Sequence, residues 1–258
     1  MPIVKSKDAE IYYESHGEGP AVVFAHGRGG NATVWFQQTA HFAQRYRVVV
    51  FDHRTFGRSV GGGAHFNQPQ LAEDLMAVLD ALGIQRAALV AQSMGGWTGL
   101  YAAIRYPERV SCLVMTSTIG GLYSEEIAGR VSTLRSKGVP LMERVFGPGF
   151  SDRRPEMALL YHQIQSFNTG FDPRSIDALL DPAQALDLET LKGYAVPTRF
   201  IAAAEDRIFE PEVIRMAAAL VPGADVVDFP GAGHSPYWED PELYNRIVGE
   251  FLERHHGG

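Results

Sequence analysis

Short runs of nearly continuous apolar residues recur along this chain, each separated from the next by a helical pattern, and that alternation leaves few folds open. The runs are Ala21 to Ala25, Arg47 to Phe51, Ala87 to Ala91, Cys112 to Thr116, Thr198 to Ala203 and Asp225 to Phe229. A strand with one wet face alternates apolar and polar residues; these runs do not, so they read as strands of a parallel sheet covered on both faces by crossover helices. Asp8 to Ser15 does alternate and is expected as an antiparallel edge arm. The helices carry their own punctuation. Gln70 to Leu82 stops at Gly83, and the last helix starts with Asp240 as N-cap and Pro241 at its first position, turning Leu243, Ile247 and Leu252 to the sheet.

Between Gly120 and Gly193 the rhythm breaks. The segment is helical in pattern, interrupted by Pro140, Pro148, Pro155, Pro173 and Pro182, and has no convincing strand. The expected organisation is an α/β core of residues 1–119 and 194–258 with an all-helical cap at 120–193. Met142, Phe146, Phe150, Met157, Tyr161, Phe167 and Phe171 give that insertion an apolar set, which reads either as ordinary packing or as the roof of a pocket. Tyr123, Phe146, Phe167 and Trp238 are the residues assigned here to a substrate pocket.

Composition narrows the partners. With 23 Lys and Arg against 30 Asp and Glu, and neither sign gathered into a block, nucleic acid is not an expected ligand. The N-terminus lacks an apolar signal core and no run of about 18 apolar residues occurs, so no membrane partner is expected and the protein reads as soluble and cytoplasmic. Cys112, the only cysteine, sits inside an apolar run and reads as a reduced buried thiol.

Four loops carry chemistry. Ala87 to Ala91 runs into Gln92-Ser93-Met94-Gly95-Gly96 and then a helix through Trp97, Leu100 and Ile104, which places Ser93 at the apex of a strand-to-helix turn. Such a turn is too tight for bulk two residues to either side, and Ala91 and Gly95 are small. The helix aims its positive dipole end at Ser93, where negative charge develops in acyl transfer. Val22 to Ala25 leads into His26-Gly27-Arg28-Gly29-Gly30, whose glycines let the backbone turn toward Ser93; the amides of Arg28 and Met94 are the expected oxyanion donors. This stretch has neither the dinucleotide fingerprint nor the Lys-Ser/Thr of a P-loop. The third loop, Gly231-Ala232-Gly233-His234-Ser235-Pro236, follows a strand at the sheet edge where catalytic groups gather, and makes His234 the expected general base. Glu205 and Asp206, after the run Thr198 to Ala204, are the candidate acids.

These motifs resemble the α/β-hydrolase superfamily across nearly the whole chain outside the insertion. The order Ser93, then acid, then His234 matches that family. Its pattern places the acid two residues before an apolar residue that packs downward, here Ile208, which implies Asp206 over Glu205. Asp52-His53-Arg54-Thr55-Phe56-Gly57-Arg58-Ser59 is similar to the family's Asp-x-Arg-Gly-x-Gly-x-Ser loop; Asp52 and Arg54 are expected to fix loops by hydrogen bonding. Two residues depart from the pattern: Ala91 stands for a glycine before the nucleophile, and Thr55 for the first loop glycine, which suggests a locally different turn.

Within the superfamily the chain resembles small capped bacterial esterases, lactonases and enol-lactonases. The resemblance implies a serine hydrolase acting on a small-molecule carboxylic ester or lactone through an acyl-enzyme, with no metal or organic cofactor. The alternatives are a carbon–carbon bond hydrolase or cofactor-free lyase on the same triad, and a slow-turnover ligand receptor. The Arg28 side chain is expected to point outward to a surface carboxylate, since a largely apolar insertion suits a neutral substrate.

Overall fold

The computed structural model describes residues 1–136 and 144–257; Pro140 and Met142 lie outside the described residues. Among the described residues nine strands form one sheet: β1 (Ile3–Ser6), β2 (Ala9–His16), β3 (Ala21–Ala25), β4 (Arg47–Phe51), β5 (Val60–Gly61), β6 (Ala87–Gln92), β7 (Val110–Thr116), β8 (Thr198–Ala203) and β9 (Asp225–Phe229). Their spatial order is β1-β2-β4-β3-β6-β7-β8-β9, with β5 paired to β2. From β4 to β9 the neighbours are parallel, while β2 meets β1, β4 and β5 antiparallel. All six apolar runs are therefore parallel strands, and the alternating arm is the antiparallel turn of the sheet. The edge strands β1 and β5 were not anticipated, because Val60-Gly61 is too short to show a period and Ile3–Ser6 is defined by its pairing with β2.

Successive residues of the central strands β3, β4, β6, β7 and β8 feed two cores. Ala21, Val23 and Ala25 of β3 join a cluster with Leu71, Leu75 and Leu79 of α2 (Gln68–Ala81), Leu100 of α3 (Gly95–Arg105) and Ile214 of α8 (Pro211–Ala219). Val22 and Phe24 point the other way, to Phe42 of α1 (Phe36–Phe42) and Tyr244, Val248 and Phe251 of α10 (Pro241–His255). A strand buried on both faces must be apolar at nearly every position, which is why the central runs do not alternate; β9, at the edge of the sheet, does not share that burial and leaves Val226 exposed. The helix ends follow the sequence signals. Asp240 accepts the Leu243 amide at 3.0 Å, and Gly83 takes a left-handed φ of 66° just past α2. Between β7 and β8 lie α4 (Glu125–Ser136), α5 (Phe150–Arg153), α6 (Pro155–Ser166) and α7 (Arg174–Leu179), with no strand among the described residues. A short α9 (Pro236–Glu239) precedes α10.

Asp52 and Arg54 act as loop anchors. Asp52 accepts the amides of Ala32 at 2.6 Å and Arg58 at 2.7 Å, and the fully buried Arg54 grips Asp74 with two bonds of 2.6 and 2.7 Å. Thr55 has φ of 70°, a left-handed conformation suited to glycine, which a β-branched residue adopts at the cost of backbone strain.

Candidate active site

Three loop ends converge at the carboxyl edge of the sheet. β6 ends at Gln92, and the backbone then turns through Ser93 at φ of 50° into α3. The turn is held from beneath: the Ser93 amide donates to the Thr116 carbonyl on β7, and the Thr118 hydroxyl donates to the Ser93 carbonyl at 2.7 Å. Gly95 permits the sharp return, because a Cβ there would lie 2.3 Å from the Ala25 carbonyl oxygen. Gly27 does the same for the opposing loop, where a Cβ would lie 2.9 Å from that of Ser93.

Above the turn, the Ser93 hydroxyl lies 2.7 Å from Nε2 of His234. The other ring nitrogen, Nδ1, is 2.9 and 3.1 Å from the two oxygens of Asp206. A carboxylate can only accept there, so Nδ1 carries the proton and Nε2 is left free to take one. Asp206 is buried, and its Oδ1 also accepts the amides of Ile208 at 2.8 Å and Phe209 at 3.0 Å. These bonds tie the carboxylate to its own loop and fix its direction. Glu205, by contrast, is exposed.

The loop opposite Ser93 is rigidly placed. His26 is fully buried, and burial pulls its pKa down to about 4, so it is neutral. Its Nε2 accepts the His53 amide at 3.0 Å, and Nδ1 donates to the Gly27 carbonyl at 2.8 Å. From the insertion, Asn168 donates to the Gly30 carbonyl at 2.9 Å, and Asn31 donates to the Ile164 carbonyl at 3.1 Å. Among the described residues neither the Arg28 nor the Met94 amide donates a hydrogen bond within the fold. Two unspent amides thus lie on the loops that flank Ser93.

A cavity of about 200 Å³ opens beside Ser93. Its apolar wall comprises Trp97, Ile176, Leu179, Leu180, Ile208 and Phe209. The expected pocket residues lie elsewhere. Phe167 is 68% exposed, Phe146 packs its ring on Phe150 and Tyr161, and Trp238 packs on Phe36 and Tyr161. Phe146 and Trp238 belong to the core cluster that includes Phe24 and Tyr244. Tyr123 is buried, and its hydroxyl donates to the Leu180 carbonyl at 3.0 Å, bracing the cavity wall without being part of it. Arg28 lines the cavity together with Arg144 and the exposed carboxylate Asp177, and among the described residues it makes no ion pair with that or any other carboxylate.

Two residues passed over in the sequence position the loops. Gln92 is buried and donates to the His234 carbonyl at 2.9 Å. Glu239 accepts the amides of Gly233 at 2.9 Å and Gly147 at 3.0 Å, joining the histidine loop to the insertion. Neither is signalled by a motif; the only clue is that each lies within five residues of a candidate site residue. Cys112 is buried in β7 with its thiol pushed up to about 12 by burial, so it stays protonated. Among the described residues no three His, Cys, Asp or Glu side chains gather as a metal-ligand set, and no helix is long and apolar enough to cross a membrane.

Comparison with known proteins agrees with this architecture. Residues 20–158 match the profile of the family described as alpha/beta hydrolase fold. The chain is 27% identical to 3-oxoadipate enol-lactonase 2 of Acinetobacter baylyi, over 96% of this chain and 95% of that protein. It is 30% identical to the putative carbamate hydrolase RutD of Pantoea ananatis, over 95% of this chain and 94% of that one. Among solved structures, Est816, described as an N-acyl homoserine lactone degrading enzyme, superimposes with a TM-score of 0.82 at 29% identity, covering 97% of this chain and all of that one. With its parallel sheet, its serine turn and more than half its length matched by the family profile, the chain belongs to the α/β-hydrolase family and is a hydrolase of that fold.

Proposed function

We propose that the protein is a serine hydrolase that cleaves a small carboxylic ester or lactone through an acyl-enzyme. The observation that carries this reading is the continuous chain from the Ser93 hydroxyl to Nε2 of His234 at 2.7 Å and from Nδ1 to Asp206 at 2.9 Å. Nε2 takes the Ser93 proton as Oγ bonds to the substrate carbonyl carbon, and the carbonyl oxygen becomes an oxyanion within reach of the Arg28 and Met94 amides. His234 then gives its proton to the departing alcohol oxygen, leaving the acyl group on Ser93. Water, deprotonated by the same histidine, releases the acid and restores the hydroxyl. In a lactone the departing oxygen stays tethered to the acyl group. Asp206 keeps the ring in the productive tautomer and stabilises the imidazolium. The insertion acts as a cap that shields the acyl-enzyme from bulk water.

The relatives named as lactone-cleaving enzymes support an ester or lactone carbonyl as target. The relative named as a putative carbamate hydrolase favours a second reading, in which a carbamate carbonyl is attacked at the same serine. Parallel assays on an ester, a lactone and a carbamate separate the two. Ser93→Ala is expected to abolish turnover and labelling by a fluorophosphonate while the circular dichroism spectrum is retained. A folded variant that still labels moves the nucleophile elsewhere.

A further inference from the structure

Arg28 is exceptional among the arginines withdrawn from water in this fold. Arg54 holds Asp74 and Asp8, Arg58 holds Asp52 and Glu14, and Arg199 holds Asp225, each through direct ion pairs. Arg28 is half-buried, yet among the described residues its guanidinium makes no hydrogen bond or ion pair with the protein. Its nearest aromatic neighbour, Phe171, lies with its ring centre 5.9 Å from the guanidinium carbon. The side chain borders the same cavity as Ser93, where its companions are Arg144 and Asp177. Among the described lining residues, two cations and one anion leave a formal excess of one positive charge. Arg144 adds to the demand, since among the described residues its buried Nε has no hydrogen-bond partner. Burial lowers the Arg28 pKa, with Asp177 opposing that change and Arg144 adding to it, and arginine stays charged even so.

A guanidinium carries five donors in a planar fork, and taking it partly out of water without a partner is unfavourable. The group that matches this fork is a carboxylate, held by two parallel N–H···O bonds. Because the backbone of Arg28 flanks the reacting carbonyl and its side chain extends along the cavity, that carboxylate belongs at the far end of the acyl chain. We infer that the substrate of Ser93 carries a second, free carboxylate, and that Arg28, with Arg144 beside it, selects for it. This inference rests on the ester or lactone reading above for the reacting end of the substrate. It identifies the substrate class as half-esters of dicarboxylic acids, or lactones bearing a carboxylate side arm.

The test compares p-nitrophenyl monoesters of succinate, glutarate and adipate with neutral p-nitrophenyl esters of matched chain length. For the best-fitting length, kcat/KM is expected to favour the charged ester by about tenfold or more, the scale of one charged hydrogen-bonded contact. Arg28→Met is expected to collapse that preference by about 10- to 100-fold, chiefly by raising KM for the charged ester, and Arg28→Lys, which keeps charge without the fork, to restore part of it. Equal rates on charged and neutral esters, a preference that survives Arg28→Met, or a preference for an ammonium-ended ester drawn to Asp177 each overturn the inference while leaving the hydrolase reading intact. A second measurement does not depend on turnover. Monomethyl glutarate should bind Ser93→Ala in calorimetry and bind the Ser93→Ala, Arg28→Met double variant about 10- to 100-fold more weakly. Arg28-dependent binding with no ester or lactone cleavage by the wild type supports Arg28 as a carboxylate-binding residue but removes the hydrolase reading on which the substrate class rests; no binding to Ser93→Ala overturns the inference.

Discussion

The carboxyl edge of the sheet and the insertion that faces it meet at Ser93 but are built under different constraints. At the sheet edge each candidate residue comes soon after a strand whose position is fixed by its neighbours: Ser93 directly after β6 (Ala87–Gln92), Asp206 in the short loop after β8 (Thr198–Ala203) and His234 in the loop after β9 (Asp225–Phe229). Backbone geometry there leaves little choice of side chain, as Gly27 and Gly95 show by their approach to Ser93 and Ala25. The insertion has no such frame. Its helices α4 and α7 contribute Val131, Ile176 and Leu179 to the cavity wall, while Phe146 packs inward among aromatic rings. One region is specified by covalent geometry and hydrogen bonding, the other by side-chain packing that many sequences satisfy.

The strongest way to break this comparison is at the acid, where two neighbouring carboxylates face different surroundings. Asp206 is buried against His234 and accepts two backbone amides, whereas Glu205 is exposed. Asp206→Asn is expected to lower kcat by about 10⁴-fold, because an amide in that place no longer enforces the tautomer with Nδ1 protonated. Glu205→Gln is expected to be nearly silent in the same ester assay. If Glu205→Gln carried the large loss, the sheet edge would not be specified by strand geometry as argued.

The same contrast explains how far the sequence could be read. The six parallel strands, both helix signals and the four loops brought together at Ser93 were legible because each has a local cause: burial on two faces, a cap, or a turn that tolerates only small residues. The cavity wall was not legible. Tyr123, Phe146, Phe167 and Trp238 are aromatic and near the insertion, yet apolar character alone does not say which face of a short helix meets the cavity. Ile176 and Leu179 are ordinary core residues by composition and line the cavity because the packed fold brings α7 to α3, where the Trp97 indole donates to the Leu179 carbonyl at 3.1 Å. The surroundings of Arg28 were missed for the same reason. The apolar content of the insertion suggested a neutral pocket, whereas Arg144 and Asp177 bring charge to its mouth. The clasp at Glu239 depends on two backbone amides distant from each other in the chain, a contact that no local pattern encodes.

That clasp is where the two regions can be uncoupled. Glu239 holds Gly233, beside His234, and Gly147, in the insertion, with one carboxylate. Burial raises its pKa from 4.5 to about 7; the two amide bonds oppose this, and the nearby charges of Asp206 and Glu205 reinforce it. A carboxyl whose folded value lies above its unfolded one stabilises the fold fully below about 4.5, and that contribution is lost as pH rises through about 7. At about 1.4 kcal/mol per pH unit the change is at most about 3 kcal/mol, less whatever solvent screening removes. Denaturant titrations of wild type and Glu239→Gln from pH 4.5 to 8 should therefore show the wild type losing stability relative to the variant up to about pH 7 and then levelling. A difference that stays constant with pH would show that Glu239 does not titrate in this range and that the clasp is an ordinary surface contact.

The smallest effect concerns Thr55, on the loop that the insertion touches through Asn168 and Gly170. Asn168 accepts the Gly57 amide at 3.0 Å, and a Cβ on Gly170 would lie 3.0 Å from the Thr55 carbonyl oxygen. Thr55 is held at φ of 70°, and its hydroxyl oxygen is buried without a hydrogen-bond partner. A left-handed conformation costs an L-residue about 1–2 kcal/mol, and the unsatisfied hydroxyl adds to that. Glycine removes both costs but loses about 1 kcal/mol to the greater freedom of the unfolded chain. Thr55→Gly is therefore expected to stabilise the protein by about 1 kcal/mol in chemical denaturation, the balance of these opposing contributions. Thr55→Ala separates the causes, since it removes the hydroxyl and keeps the Cβ in its left-handed position. If alanine stabilises as much as glycine, the cost lies in the buried hydroxyl; if alanine gains little and glycine gains the full amount, it lies in the backbone. A loss of stability with both would mean that the threonine methyl packs the junction between sheet edge and insertion strongly enough to outweigh strain and desolvation together.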